Sequence, residues 1–386
     1  MNHRWPLLFC AFIALTACTA HYTSTESVGT PIRVSSNIPD CPIRDVALAT
    51  PASALFIGVT NYPEPAGVFS TPAHFIGANL FAGVFSRAAD RQGPSFPYDS
   101  ETLTDLARHD ALPPNYADPM KVISTLGFGG GGSGHAVLRK EIEAALAGQA
   151  AAAEGLYEKH GQALLVVYVA AHGFLVDGEP YFLPSDAVAD KSETWISYRS
   201  VIDSAAAFLG RNAPGSKARS ALLIFDTCQV RRGGAGVPPA EFAVPPGLVL
   251  VQSAAPGQYA WHWTASSKYE YDKQMTKEVR LGIGLPPKEA RGHIQGEQAA
   301  TMSVLPIASQ CFLADAIKAH KQNGGADEPL TVREWFTGLK AKADGYFAEI
   351  PEMQALGRSQ TISIRVAEGQ VDPPLFVLRQ SPPPEP

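Results

Sequence analysis

Gln162–Asp186 reads QALLVVYVAAHGFLVDGEPYFLPSD, and Ser220–Gln229 reads SALLIFDTCQ. Each opens as a short aliphatic and β-branched run and stops at a polar, reactive side chain, His172 in the first and Cys228 in the second. Strands buried on both faces of a parallel sheet carry continuous apolar runs, and open α/β sheets bind ligands outside the carboxyl ends of their strands. A His ending one run and a Cys ending another are therefore expected to face one crevice, as base and nucleophile.

The neighbouring sequence supplies the rest of such a sheet. Ser53–Thr60 (SALFIGVT) reads as the first core strand and ends in the turn residues Asn61-Tyr62-Pro63. Thr71–Ala89 follows as a helix with Pro72 at its first position and Phe75, Ile76, Leu80, Val84 and Phe85 on its apolar face. Lys121–Leu126 reads as a second strand, and Ala136–Lys159 as an Ala-rich helix interrupted at Gly148. After His172-Gly173, the segment Gly178–Asp186 reads as a short hairpin arm, and Asp177 and Asp186 read as turn residues. A helix over Ser197–Leu209 leads to the strand ending at Asp226-Thr227-Cys228, and Gly247–Ser253 (GLVLVQS) is the next strand.

Beyond it, Ala254–Ala265 carries Tyr259, Trp261 and Trp263, rings that line a pocket or cover the sheet edge. Residues 266–305 read as a loop or insertion beside the site, since loops of that length are uncommon unless functional. Ser309–Lys321 is a helix, Thr331–Ala348 is another opened by a Thr331-x-x-Glu334 capping box, and Gln360–Val366 is the last strand. Strands alternating with helices are the α/β signature. One domain over residues 51–368 is expected, with residues 369–386 as a Pro-rich tail.

The chain has 386 residues, of which 45% are hydrophobic and 18% charged, enough to bury a full core. Its formal charge of −6 argues against nucleic acid as a partner. The ten His and 37 acidic residues are scattered, with no H-E-x-x-H or paired Cys-x-x-Cys, so no metal or other cofactor is expected. Gly127–Gly134 invites a phosphate-binding reading, but His135 and Ala136 stand where a P-loop needs Lys and Ser or Thr. A surface loop is expected there.

The N-terminus has a short basic start (His3, Arg4), an apolar stretch from Leu7 to Leu15, and then Leu15-Thr16-Ala17-Cys18. This resembles a bacterial lipoprotein signal peptide over residues 1–17, in which cleavage is coupled to lipidation of Cys18. Thr19 rather than Asp follows the Cys, which in the lipoproteins it resembles points to the outer membrane. Residues 18–50 then form a lipidated N-terminus and linker, and the membrane is a partner through the anchor. No later run reaches the ~18 apolar residues of a spanning helix. The expected location is the bacterial cell envelope, with the body facing the periplasm. Of the five cysteines, Cys10 leaves with the signal. Cys41 and Cys311 are left as a disulfide or as two separate thiols, and the sequence holds both open.

The segments SALFIGVTNY, YVAAHGFLVDGEPYFLPSDA, ALLIFDTCQ and GLVLVQSAAPGQYAW occur in the order and spacing of the caspase-like, metacaspase-type cysteine peptidases, which the chain resembles from Ala52 to Val366. The resemblance implies a three-layer α/β/α sandwich with a mostly parallel central sheet of about six strands. It implies His172 as base, Cys228 as nucleophile, and the backbone N–H groups of Gly173 and Cys228 as an oxyanion hole, with a protein or peptide as substrate. Asp226 contributes to a pocket for a basic P1 side chain in such members, or else caps a loop, and Ser253 is read as a second substrate-binding position. Ala171 stands where the family commonly has glycine, and Gln229-Val230-Arg231 replaces a Ser-Gly-containing sequence. These departures bear on specificity and activity. The other class of function is a caspase-like lipoprotein that is catalytically inactive and serves as a binding or scaffolding module.

Overall fold

The apolar runs become strands at the centre of the molecule. The structure, a computed structural model, describes residues 46–62, 66, 68, 74, 77–78, 81–82, 85, 120–124, 136–210, 219–232, 237–260, 262–264, 301–303, 320, 322, 328–349, 360–367 and 372–378. Its strands are β1 (Val46–Leu48), β2 (Ala52–Gly58), β3 (Met120–Ser124), β4 (Ala163–Ala171), β5 (Gly173–Val176), β6 (Glu179–Phe182), β7 (Ile196–Ser197) and β8 (Arg219–Thr227). They continue with β9 (Val230–Arg231), β10 (Leu248–Gln252), β11 (His262–Thr264), β12 (Thr301–Ser303), β13 (Leu330–Thr331), β14 (Ser363–Val366) and β15 (Pro374–Leu378). The long helices are α1 (Arg139–His160), α2 (Tyr198–Leu209) and α3 (Val332–Glu349).

One six-stranded sheet has the order β14-β10-β8-β4-β2-β3. All its pairs are parallel except β10 with β14, which is antiparallel. Every residue of β2, β4 and β10 is buried, so these runs are continuous rather than alternating because helices cover both faces. On one face Leu165, Val167 and Val169 share a core cluster with Ile142 and Ala145 of α1 and with Val201 and Ile202 of α2. On the other, Tyr168 stacks on Phe81 with ring centroids 4.3 Å apart, and Phe81 meets Trp335 of α3 at 6.3 Å. The architecture is therefore α/β with helices on both sides of a mostly parallel sheet.

Local chemistry sets the element ends. Ser197 caps α2 by accepting a hydrogen bond from the Ser200 N–H at 3.1 Å. The expected capping box opens α3, with the Thr331 N–H donating to the Glu334 carboxylate at 2.9 Å and the Glu334 N–H to Thr331 Oγ1 at 3.3 Å. The arm after His172 is a real hairpin, β5 antiparallel to β6. Asp177 and Gly178 form its turn, with φ of 49° and 84°. With β7 and β9 this hairpin makes a four-stranded sheet of order β7-β6-β5-β9.

Three expectations are corrected. The helix does not break at Gly148: α1 runs unbroken through it, because Ile142, Ala145, Leu146, Gln149 and Ala153 stay buried along one face. Glycine inside a helix costs only about 1 kcal/mol, which that packing offsets. The linker and tail also take part in the fold. β1 from the linker and β13 both pair antiparallel with β15 from the tail, extending the folded body beyond residues 51–368 at both ends. Strands of three and two residues are too short to carry a readable alternation. Residues 301–303 of the expected loop or insertion form a strand, β12, which pairs antiparallel with β11. Residues 265–300, the signal segment with Cys18, Cys41, Cys311, the glycine run 127–134 and most of the expected helix 309–321 lie outside the described residues.

Candidate active site

His172 and Cys228 stand at the ends of adjacent strands because β4 and β8 are neighbours in strict register. The two strands pair from Ala163↔Arg219 to Ala171↔Thr227, an offset of 56 residues (219 − 163). Past the sheet, β5 pairs with β9 at Phe174↔Val230, again an offset of 56 (230 − 174). His172 and Cys228 occupy the same level of this alignment, on strands spaced about 4.8 Å apart. Gly173 makes the continuation fit. A Cβ there would lie 2.5 Å from the Cys228 carbonyl oxygen and 2.9 Å from that of Tyr181, so only glycine lets the backbones close together.

The histidine is held by its backbone. Its N–H donates to Tyr62 Oη at 3.1 Å, its carbonyl accepts from the Leu183 N–H at 2.9 Å, and Tyr62 Oη donates to the Leu183 carbonyl at 3.1 Å. Tyr62, just beyond β2, thus bridges the end of β4 and the arm that follows it. Burial pushes the Tyr62 hydroxyl well above the usual tyrosine range against the effect of the His172 N–H, and charge on Cys228 adds to the rise. The hydroxyl stays a donor. The His172 ring lies 5.0 Å from the Tyr62 ring and 5.0 Å from that of His74.

Cys228 is in no disulfide and has 8% of its surface exposed. Its Sγ donates to the Ala260 carbonyl at 3.8 Å and packs with Ala254 and Ala260. Gln229 anchors the segment that brings these groups over it. The Gln229 N–H donates to the Gln258 carbonyl at 2.9 Å, its carbonyl accepts from the Gly257 N–H at 2.8 Å, and Nε2 donates to the Ala254 carbonyl at 2.5 Å. Gln258 Oε1 in turn accepts from the Thr361 N–H at 2.8 Å. On the far side of the sheet, Tyr198 hydrogen-bonds Thr227, and burial pushes its hydroxyl up as well.

The two expected substrate-binding residues sit deeper. Asp226 is fully buried and accepts from Tyr168 Oη at 2.8 Å, while burial and the charge of Asp226 raise that hydroxyl. Ser253 is also fully buried, beside Asp226 on the next strand. Its N–H donates to the Phe225 carbonyl at 2.9 Å, and its carbonyl accepts from Gln360 Nε2 at 2.7 Å. Both residues belong to the same sheet end as His172 and Cys228, but neither side chain reaches solvent. Among the described residues no group of three or more His, Cys, Asp or Glu is placed to hold a metal ion.

Three contributors escaped the sequence reading. Tyr62 counted only as a turn residue, Gln229 only as a departure from a family pattern, and His74 not at all. The signal for His74 was its place at helical spacing from Ala78, Phe81 and Phe85, an imidazole on an otherwise apolar stripe.

No protein-family model matches the chain, and no curated protein does. Among solved structures, the chain is similar to caspase-1 from Spodoptera frugiperda at 11% identity over 89% of this chain and 96% of that one, with a TM-score of 0.42.

Proposed function

We propose that the chain is a caspase-like cysteine endopeptidase, tethered to the bacterial envelope through Cys18. The observation that supports it is the shared register of His172 and Cys228 at the carboxyl ends of adjacent parallel strands. In this reading His172 takes the thiol proton, and the Cys228 thiolate attacks a peptide carbonyl carbon. The tetrahedral oxyanion is stabilised by the N–H groups of Gly173 and Cys228. It collapses with cleavage of the C–N bond, His172 protonates the departing amine, and a thioester remains. Water then gives its proton to His172 and attacks the thioester, releasing the acid and the thiol. Asp226, with Ser253 beside it, is the selector for an Arg or Lys side chain before the cleaved bond. That role requires the cover over both residues to open.

The test is the rate at which iodoacetamide labels Cys228 in the full chain at neutral pH. An unassisted thiol is only a few per cent thiolate there, so His172→Ala is expected to slow labelling roughly tenfold or more. A peptide library then reports cleavage after Arg or Lys, abolished by Cys228→Ala. Cleavage after Asp would remove Asp226 from its role. Mass analysis of the mature N-terminus tests lipidation at Cys18.

One observation favours a second reading, a binding module with an idle dyad: the Cys228 thiol is covered by the Ala260 carbonyl. Labelling that is slow and indifferent to His172 supports that module.

A further inference from the structure

We infer that His74 is a positioning residue that holds the imidazole of His172 in its working orientation. The inference rests on the dyad reading above. Residues 74, 77, 78, 81, 82 and 85 are helical, and Ala78, Phe81, Ala82 and Phe85 are wholly buried against the sheet. His74 continues that stripe by one turn, toward the end of β2, and is 1% exposed. A polar ring in such a place needs a partner.

His74 is fixed from two sides. Its Nδ1 lies 2.6 Å from the Val59 carbonyl oxygen. A carbonyl only accepts, so that nitrogen carries the proton. Its own backbone rests on Gly58, where a Cβ would come within 2.5 Å of the His74 carbonyl oxygen and 3.0 Å of the Ala78 Cβ. At His74 the helix is therefore pressed onto the strand end, and the ring cannot slide away from it.

The ring held in this way meets His172. The two imidazole centroids are 5.0 Å apart with planes at 84°. Tyr62 completes a three-ring cluster, 6.5 Å from His74 at 86° and 5.0 Å from His172 at 52°. Two anchored rings thus wall in the base, one tied to the Val59 carbonyl and the other to the backbone of Leu183 and His172. A base whose ring is free to turn spends part of its time unable to reach the thiol. Misplacement on the order of 1 Å costs as much as a hundredfold in rate.

The test measures iodoacetamide labelling of Cys228 in the full chain from pH ~6 to ~10, a span that brackets the ordinary cysteine titration. Among the described titratable groups Tyr62 touches both imidazoles and Cys228 stands at the neighbouring strand end, with Tyr168, Tyr198 and Asp226 buried in the elements packed at that end of the sheet, and burial holds all three tyrosines protonated across that range. His74→Phe keeps a ring but cannot donate to Val59, and His74→Asn keeps a donor but loses the ring. Each is expected to slow labelling about tenfold at neutral pH while leaving the alkaline plateau unchanged, because orientation matters only while the base is needed. A loss in the Asn variant alone traces the effect to the ring, and a loss in the Phe variant alone traces it to the Nδ1 proton. Either supports the inference. If Phe does not fold, Asn carries the test alone. Wild-type rates in both variants overturn it, as does an equal change at every pH, which reports access to the thiol. His172→Ala is the reference: if it too labels like the wild type, the dyad reading has failed, and the result does not bear on His74.

Discussion

Gly173 is the residue on which the closeness of the two strand ends depends. A side chain there meets the carbonyl oxygens of Cys228 and Tyr181 together, and neither is the far end of a flexible chain. Gly173→Ala must push β5 away from β9, which changes the spacing between His172 and Cys228. Overpacking of this kind costs about 1–3 kcal/mol. The variant is expected to fold with a lowered urea midpoint and to lose the His172-dependent part of Cys228 labelling. Unchanged labelling would mean that the backbone contact does not set the dyad. At this scale the places of His172 and Cys228 were legible, since each ends an apolar run. Their supports were not. Tyr62 acts across 110 residues on the His172 N–H, and His74 across 98 (172 − 74) on its ring. No local pattern encodes such pairings.

At the scale of elements, the segment after β10 is the described part that lies against the thiol. It is held down by Gln229, whose side chain is 1% exposed and donates to the Ala254 carbonyl at 2.5 Å. Removing that donor leaves a buried carbonyl unsatisfied, which costs about 1–3 kcal/mol. The same free energy is lost from the closed position of the segment. Gln229→Ala is therefore expected to raise the alkaline labelling rate of Cys228 several-fold, on the order of what 1 kcal/mol allows. A rate equal to or below wild type would show that this segment does not gate the thiol. The strands themselves were the most readable elements, β4 down to its last residue, because burial on both faces leaves an unbroken apolar run with sharp ends. The stretch 254–260 was not readable. Its shape comes from hydrogen bonds to Gln229 and Thr361, residues that carry no mark of that duty in the sequence.

At the scale of the whole molecule, strands far apart in the sequence come together in one small sheet. β1 and β13 flank β15, and Phe376 of β15 is 1% exposed with its ring 5.7 Å from that of Phe85. Phe85 in turn meets Phe56 of the central sheet at 5.8 Å. The stretch expected to be a Pro-rich tail therefore reaches the same helix-covered face that carries His74, and Pro373 accepts the Val332 N–H at the start of α3. Proline density hid a strand of five residues, PLFVL, whose apolar content makes sense between β1 and β13. Phe376→Ala removes a ring that nothing else fills, at a cost of about 3–5 kcal/mol. Such a loss is a large part of the stability of an ordinary domain. Truncation after residue 368 removes β15 altogether, so it is expected to lower the urea midpoint at least as far. Because Phe85 and His74 lie on one helical stripe, loosening this end should also slow neutral-pH labelling of Cys228 in the Phe376 variant. If the truncated chain instead unfolds at the wild-type midpoint, the tail is an ornament and the face is closed without it.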